Sequence, residues 1–253
     1  MENIDLIELS EMNLADEHIC CAFADKKCLK GYNLKKDWLK NQFKNGYKFI
    51  KANVRGKVFI EYIDSEFSWL PVNAENYKSI NCFWVSGQFA GKGYGKALME
   101  KCIEDSRNKA GIFTISSDKK RPFMTDNKFL KKFGFEKVDF APPFFELWAL
   151  RFDANAPLPS FYESAKSGEC TNKEGIVVYY SDSCPFNEYY VNEHLKKFAI
   201  DNKLALEINY LRSREEAIQT PVPWIINSVF FEGKFLSNKI KVDKEILEII
   251  NKR

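Results

Sequence analysis

Glycines at every second position, Gly91, Gly93 and Gly95, with Lys92, Tyr94 and Lys96 between and after them, form the stretch of this chain best suited to chemistry. Alternating glycines let the backbone approach a ligand without side chains in the way. The free N–H groups in the first turn of a following helix then point at an anion with the helix dipole behind them. Here the glycines lead from a β-rich stretch ending at Val85 into an amphipathic helix at Ala97-Leu98-Met99. A pyrophosphate fits such a place. A P-loop is excluded, because Gly95-Lys96 is followed by Ala97 rather than serine or threonine. A dinucleotide fingerprint fits poorly: Lys96 stands where its third glycine belongs, and no acidic residue ends the next β-rich segment.

Two further groups of residues carry chemistry. The strand that opens at Lys57 offers Glu61 and Glu66 as general bases. They differ by an odd number, so a regular strand puts them on opposite faces and only one can face a cleft. Tyr62, Trp69 and Trp84 are candidates for lining an acceptor pocket or for the core. Cys184, in Cys184-Pro185-Phe186-Asn187, follows a strand and opens a helix, where N–H groups favour a thiolate. Asn187 occupies the place of a second cysteine, and Cys170 is the nearest other thiol. His18 and His194 fall in segments of helical spacing, with surface or packing roles.

The elements that must hold these groups follow from periodicity. Residues 4–9 alternate, residues 14–24 and 34–43 carry helical spacing, and residues 47–52, 57–63 and 79–85 are β-rich. A helix over residues 95–109, a strand over 112–116, a second helix and two closing strands around Pro142-Pro143 complete the first half. Residues 153–173 read as a linker. From residue 174 the order is strand, helix, strand, Thr220-Pro221-Val222-Pro223, a hairpin through Glu232-Gly233, and a helix over 244–252.

The run from Val85 through Gly91-Lys92-Gly93-Tyr94-Gly95-Lys96 closely resembles motif A of the GNAT N-acetyltransferases, and Asn127-Lys128-Phe129-Leu130-Lys131-Lys132-Phe133-Gly134-Phe135 resembles their motif B. The resemblance covers residues 1–152. It implies an α/β (α+β) fold, a mixed sheet flanked by helices with the ligand at a splay in the sheet, and acetyl-CoA as co-substrate. It implies cofactor contacts from Phe83, Trp84, Val85, Ala90, Gly91, Lys92, Gly93, Tyr94, Gly95, Lys96 and Asn127, with the Val85 N–H meeting the developing oxyanion. The implied reaction is acetyl transfer to a primary amine of a small molecule or peptide. The chain departs from the family at Ala90, where a glutamine or arginine usually opens the glycine core, and at Leu130, where many members carry a tyrosine acid.

Phe83-Trp84-Val85-Ser86-Gly87, Arg121-Pro122-Phe123 and Val229-Phe230-Phe231-Glu232-Gly233-Lys234-Phe235 further resemble YoaP-type proteins, which join such a domain to a small C-terminal one. The order of elements in residues 174–253 resembles the thioredoxin-like fold, with Cys184-Pro185-Phe186 as a glutaredoxin-like opening and Pro223, or less readily Pro221, as a cis-proline facing the thiol. Val85, Glu61, Glu66 and Cys184 are the candidate catalytic residues. A non-catalytic acetyl-CoA sensor and a thiol-linked redox or acyl module stay open beside the transferase.

The remaining composition excludes more than it points to. The 253 residues carry 38 basic and 35 acidic side chains, a formal charge of +3, which makes no case for nucleic acid or membrane binding. No apolar run is long enough for a membrane span, and the start Met1-Glu2-Asn3-Ile4-Asp5 is acidic rather than signal-like, so a cytoplasmic protein is expected. Seven cysteines without paired metal-type spacing imply free thiols and no metal site, with the adjacent Cys20 and Cys21 packing in a helix.

Overall fold

In this computed structural model the described residues are 4–19 and 21–252. Cys20 lies outside them. The first half forms one seven-stranded sheet. It contains β1 (Leu6–Glu8), then α1 (Leu29–Phe43), β2 (Lys48–Ala52), β3 (Val58–Asp64) and the short β4 (Val72–Asn73). There follow β5 (Tyr77–Val85), α2 (Tyr94–Glu104), β6 (Gly111–Ser117), α3 (Asn127–Lys131), β7 (Glu136–Ala141) and β8 (Phe145–Arg151). The sheet order is β1-β2-β3-β5-β6-β8-β7, with β4 outside it, and only β5 and β6 run parallel, as a crossover through a helix requires.

That parallel pair is short. Tyr77 to Ile80 of β5 match Gly111 to Thr114 of β6, and beyond Ile80 the two strands part. On its other edge β5 stays paired with β3 to Val85, through a bulge at which Glu61 faces Cys82 and Tyr62 faces Ile80, so Asn81 is the extra residue. The sheet therefore opens on one side of β5 while the other side holds it rigid.

The two faces of the opened strand belong to two cores. Phe83 and Val85 pack on the side of α2 and α3, with Leu98, Met99 and Leu130. Cys82 and Trp84 lie on the opposite side, with Trp38 and Leu39 of α1. Alternation along β5 produces this division, because successive side chains point to opposite faces.

After β8 the chain straps back. In residues 153–173, β9 (Ser160–Phe161) pairs with β4, the Phe161 N–H donates to Asp139 Oδ2 at 2.7 Å, and Tyr77 Oη donates to the Pro157 carbonyl at 3.1 Å. The second sheet is built from β10 (Ile176–Tyr180), the helical run α4 (Asn187–Tyr189) to α5 (Lys196–Asp201), β11 (Leu206–Tyr210), the one-turn α6 (Arg214–Ala217), β12 (Asn227–Phe231), β13 (Lys234–Ser237) and α7 (Asp243–Ile250). Its order is β11-β10-β12-β13, with β10 and β11 parallel and the other pairs antiparallel. Residues 190–195 between α4 and α5 form a π-helical turn.

The second sheet docks on the first. Phe230, Val177 and Trp224 are buried in the same core as Phe49, Phe113 and Leu147, while Phe231 faces the second sheet's own helices. Phe235 meets Phe145 edge-on at 5.4 Å. Alpha-1 carries the other contact. Its buried stripe is Gly31, Lys35, Trp38, Leu39 and Gln42, Lys30 pairs with Glu188, and a methyl group added at Gly31 would stand 2.2 Å from the Pro185 carbonyl oxygen. Gly31→Ala is therefore expected to destabilise the protein by about 1–3 kcal/mol in urea unfolding. On helix propensity alone it would stabilise by about 1 kcal/mol, so a net gain would show that the two halves do not meet here.

Several expectations from the sequence are corrected. The described residues of 14–24 form turns and bends, not a helix, so neither His18 nor Cys21 is helical. Leu14 and Ile19 are buried in the core, and the Ile19 N–H donates to the Tyr32 hydroxyl at 3.2 Å rather than to a helical carbonyl. The helix expected over residues 95–109 ends at Glu104, where Asp105 accepts from Lys101 and Tyr62. Among the described residues the cis peptide bond precedes Pro143, so neither Pro221 nor Pro223 follows one. No helix among the described residues is long and apolar enough to cross a membrane.

Candidate active site

The glycine loop sits at the open end of the splay. Gly91 and Gly93 have φ of +76° and +87°, and Gly93 is the residue from which α2 starts. A side chain with a Cβ is strained in that region, whereas glycine is not. The N–H groups of residues 91–96 donate to no acceptor among the described residues, the first intrahelical bond being Ala97 N–H to the Gly93 carbonyl. Ala90, Gly91, Lys92 and Gly93 are exposed, and Lys96 pairs loosely with Glu100 at 3.5 Å. An exposed cluster of unpaired donors at the N-terminus of an eleven-residue helix fits an anionic diphosphate. Gly95 packs its backbone against the rings of Phe129 and Phe83, which stack on each other at 5.1 Å.

Strand β5 supplies donors to the same gap. The Ser86 N–H donates to the Lys57 carbonyl at 2.8 Å, a hydrogen-bonded antiparallel pair. In the alternation of such ladders the next pair, Val58 with Val85, is non-hydrogen-bonded, and so is Ile60 with Phe83. The N–H groups of Phe83 and Val85 accordingly point away from β3, toward the space that β6 has left. Asn127, at the start of α3, is held on the far side of the gap by its amide donating to the Ser117 carbonyl at 3.2 Å. Tyr94 meets Phe89 edge-on at 5.3 Å and braces the loop.

Beneath the splay, between the two sheets, lies a chamber of two adjoining cavities that share Glu61, Cys82, Phe123, Ser183 and Ile226. Glu61 is buried at 3% exposure. Its Oε2 accepts from Lys35 Nζ at 2.6 Å and from Tyr47 Oη at 2.6 Å. Lys35, equally buried, also donates to the Ser183 carbonyl at 2.8 Å and lies 4.6 Å from the centre of the Trp38 ring. Glu61 Oε1 makes no hydrogen bond among the described residues, and the side chain borders both cavities. Burial and the neighbouring carboxylate push the Tyr47 hydroxyl well above the ordinary tyrosine range, so it stays a donor.

Trp84 and Cys184 line the cavity that Lys35 borders, with Cys21 and Cys82. Enclosure there pushes the Cys184 thiol up to about 11, against the Phe186 N–H and the Lys35 ammonium, which pull it down. Burial, reinforced by Glu61, likewise raises Cys82. The alkylation rate of Cys184, followed by site-resolved mass spectrometry, is therefore expected to keep climbing through pH 9 and 10; a plateau below about 8.5, the free-cysteine value, would contradict this setting. Cys170 is away from the chamber, with its thiol donating to the Asn172 carbonyl.

Of the other sequence candidates, Glu66 is exposed in a turn that follows β3 and lines neither cavity of the chamber. Trp69 is buried against Trp38, and Tyr62 is buried on the opposite face, bonded to Asp105. Leu130 is fully buried among the α2 core residues, so it is a packing residue. The residues missed from sequence are Lys35, Tyr47, Trp38 and Trp224. Only Lys35 left a signal, as a lysine in the otherwise uncharged buried stripe of α1.

The acetyltransferase (GNAT) family model matches residues 13–135, and the YoaP-like model matches residues 206–247. The chain is 37% identical over 247 residues to the uncharacterized N-acetyltransferase YoaP of Bacillus subtilis (strain 168), covering 97% of this chain and 98% of that one. Among solved structures, a GNAT-family acetyltransferase from Staphylococcus aureus Mu50 superposes with a TM-score of 0.42 at 17% identity, over 60% of this chain and 100% of its own. The PaiA N-acetyltransferase of Thermoplasma acidophilum, in complex with coenzyme A, gives 0.42 at 14% identity, over 59% and 99%.

Proposed function

Because this chain belongs to the GNAT acetyltransferase family, we propose that it transfers the acetyl group of acetyl-CoA to a primary amine held in the chamber between the two sheets. The observation that carries the reading is the convergence on one gap of unpaired N–H groups from residues 91–96, the outward N–H groups of Phe83 and Val85, and the buried carboxylate of Glu61.

In this reading residues 1–152 form the acetyltransferase unit, 153–173 join it to the second unit, and 174–253 close the chamber as a YoaP-like unit whose sheet order supports a thioredoxin-like description. The loop N–H groups take the diphosphate of acetyl-CoA, with Lys92 and Lys96 adding positive charge. The Phe83 and Val85 edge aligns the thioester arm, and the Val85 N–H faces the carbonyl oxygen as negative charge develops on it. Glu61 Oε1 accepts a proton from the amine, directly or through one water, so that the nitrogen attacks as a neutral nucleophile. Lys35 and Tyr47 fix the carboxylate by its other oxygen. Cys184, a protonated thiol at neutral pH, borders the amine's space and is no nucleophile there.

The test is CoA release from acetyl-CoA, measured by chromatography with and without added amines. Amine-dependent release that Glu61→Gln lowers is expected. Tight acetyl-CoA binding with no release across small amines and peptide N-termini would leave a binding protein rather than a transferase.

A further inference from the structure

Two of the five tryptophans border the cavity that opens on Phe83 and Thr114: Trp38 from α1 and Trp224 from the loop before β12. They are 9% and 5% exposed, and the indole N–H of each is buried without a hydrogen-bond acceptor among the described residues. A buried donor left unpaired costs about 1–3 kcal/mol, and such groups in native proteins call for an explanation. Two that line one cavity share one: a ligand that brings acceptor oxygens. Across the same cavity stands Glu61, whose free Oε1 takes the opposite kind of group, a hydrogen-bond donor or cation.

Resting on the acetyl-transfer reading above, we infer that the acceptor is a compact amine carrying a carbonyl or carboxylate oxygen, as in an α-amino acid or its amide, with the amine toward Glu61 and the oxygen toward the indole N–H groups of Trp38 and Trp224. The arrangement excludes long chains. The cavity is walled on one side by the first sheet, through Tyr47, Cys82 and Thr114, and on the other by Ser183 and the Trp224-Ile225-Ile226 segment of the second half. A polypeptide would have to displace the Lys35 to Ser183 bond that ties the halves together. The remaining walls, Leu70, Ile80 and Phe123, suit an apolar body between the two polar ends.

The test compares matched triplets that differ only at the oxygen: phenylalanine, phenylalaninamide and phenethylamine; leucine, leucinamide and isoamylamine; alanine, alaninamide and ethylamine. Binding to the full chain with CoA present is measured by calorimetry, and acetyl transfer by CoA release. In at least one triplet the acid or the amide is expected to bind tenfold or more tighter than the plain amine, and which of the two does so identifies the oxygen. Trp224→Phe and Trp38→Phe should each erode that ratio. Should either variant fold poorly, 3-benzothienylalanine at the same position keeps the fused ring and lacks the N–H. A Phe-Ala-Ala-Ala tetrapeptide is expected not to bind. Equal affinities within every triplet, a preference that survives loss of both N–H groups, binding of the tetrapeptide, or no binding by any member would each overturn the inference. The expected preference without any acetyl transfer would uphold the site and remove the transferase reading.

Discussion

Gly93→Asp is expected to abolish measurable acetyl-CoA binding, whereas Gly93→Asn weakens it modestly. Position 93 has a φ of +87° and stands at the start of α2, with the unpaired N–H groups of residues 91–96 around it. Asparagine tolerates left-handed backbone better than most residues, so the Asn variant measures strain while the Asp variant adds only charge. A carboxylate about 4 Å from one phosphate charge costs about 4 kcal/mol at an effective dielectric constant near 20, which is roughly a thousandfold in affinity. Calorimetry on the two variants reads the difference. Equal affinities would place the diphosphate away from this loop.

The second large effect is on stability. Lys35 and Glu61 are each about 3% exposed and 2.6 Å apart, so Lys35→Met leaves a buried carboxylate whose remaining donor is the Tyr47 hydroxyl. Removing one partner of such a pair costs about 3–5 kcal/mol, while replacing both with neutral groups is often nearly neutral. Lys35→Met is expected to lose that much in urea unfolding, and Lys35→Met with Glu61→Gln to recover most of it. In activity the order inverts for the double variant. Loss of the carboxylate lowers kcat/KM by about 10²–10⁴, the range of a positioned general base, and the regained stability does not restore it. Additive stability losses would mean that the two side chains are not coupled.

The parts of the fold legible from sequence were those whose cause is local. The β-branched and aromatic residues of 47–52, 57–63 and 79–85 yield β2, β3 and most of β5, and the glycine run marks the start of α2, since positive φ at Gly91 and Gly93 is a backbone requirement written in residue type. The splay was legible only through family resemblance, because where β5 and β6 part depends on the bulge at Asn81 and on the helices between them. Residues 14–24 misled because Leu14 and Ile19 are buried in the core without a cap or a sustained stripe to make a helix. Parity along the strand did not decide between the two carboxylates, because β3 ends at Asp64 and Glu66 lies in the turn beyond it. Trp38 and Trp224 are 186 positions apart, and nothing short of the docked second sheet brings them to one cavity.

The central claim is that one gap in the sheet holds the thioester while the chamber beneath it holds the amine. A crystal structure of the full chain with acetyl-CoA tests it most directly. The diphosphate should accept hydrogen bonds from the N–H groups of residues 91–96, the thioester oxygen should lie within about 3 Å of the Val85 N–H, and the acetyl methyl group should point toward the side of β5 that carries Glu61 and Cys82. A diphosphate bound elsewhere, or a thioester turned toward α2 and away from Glu61, would contradict the account.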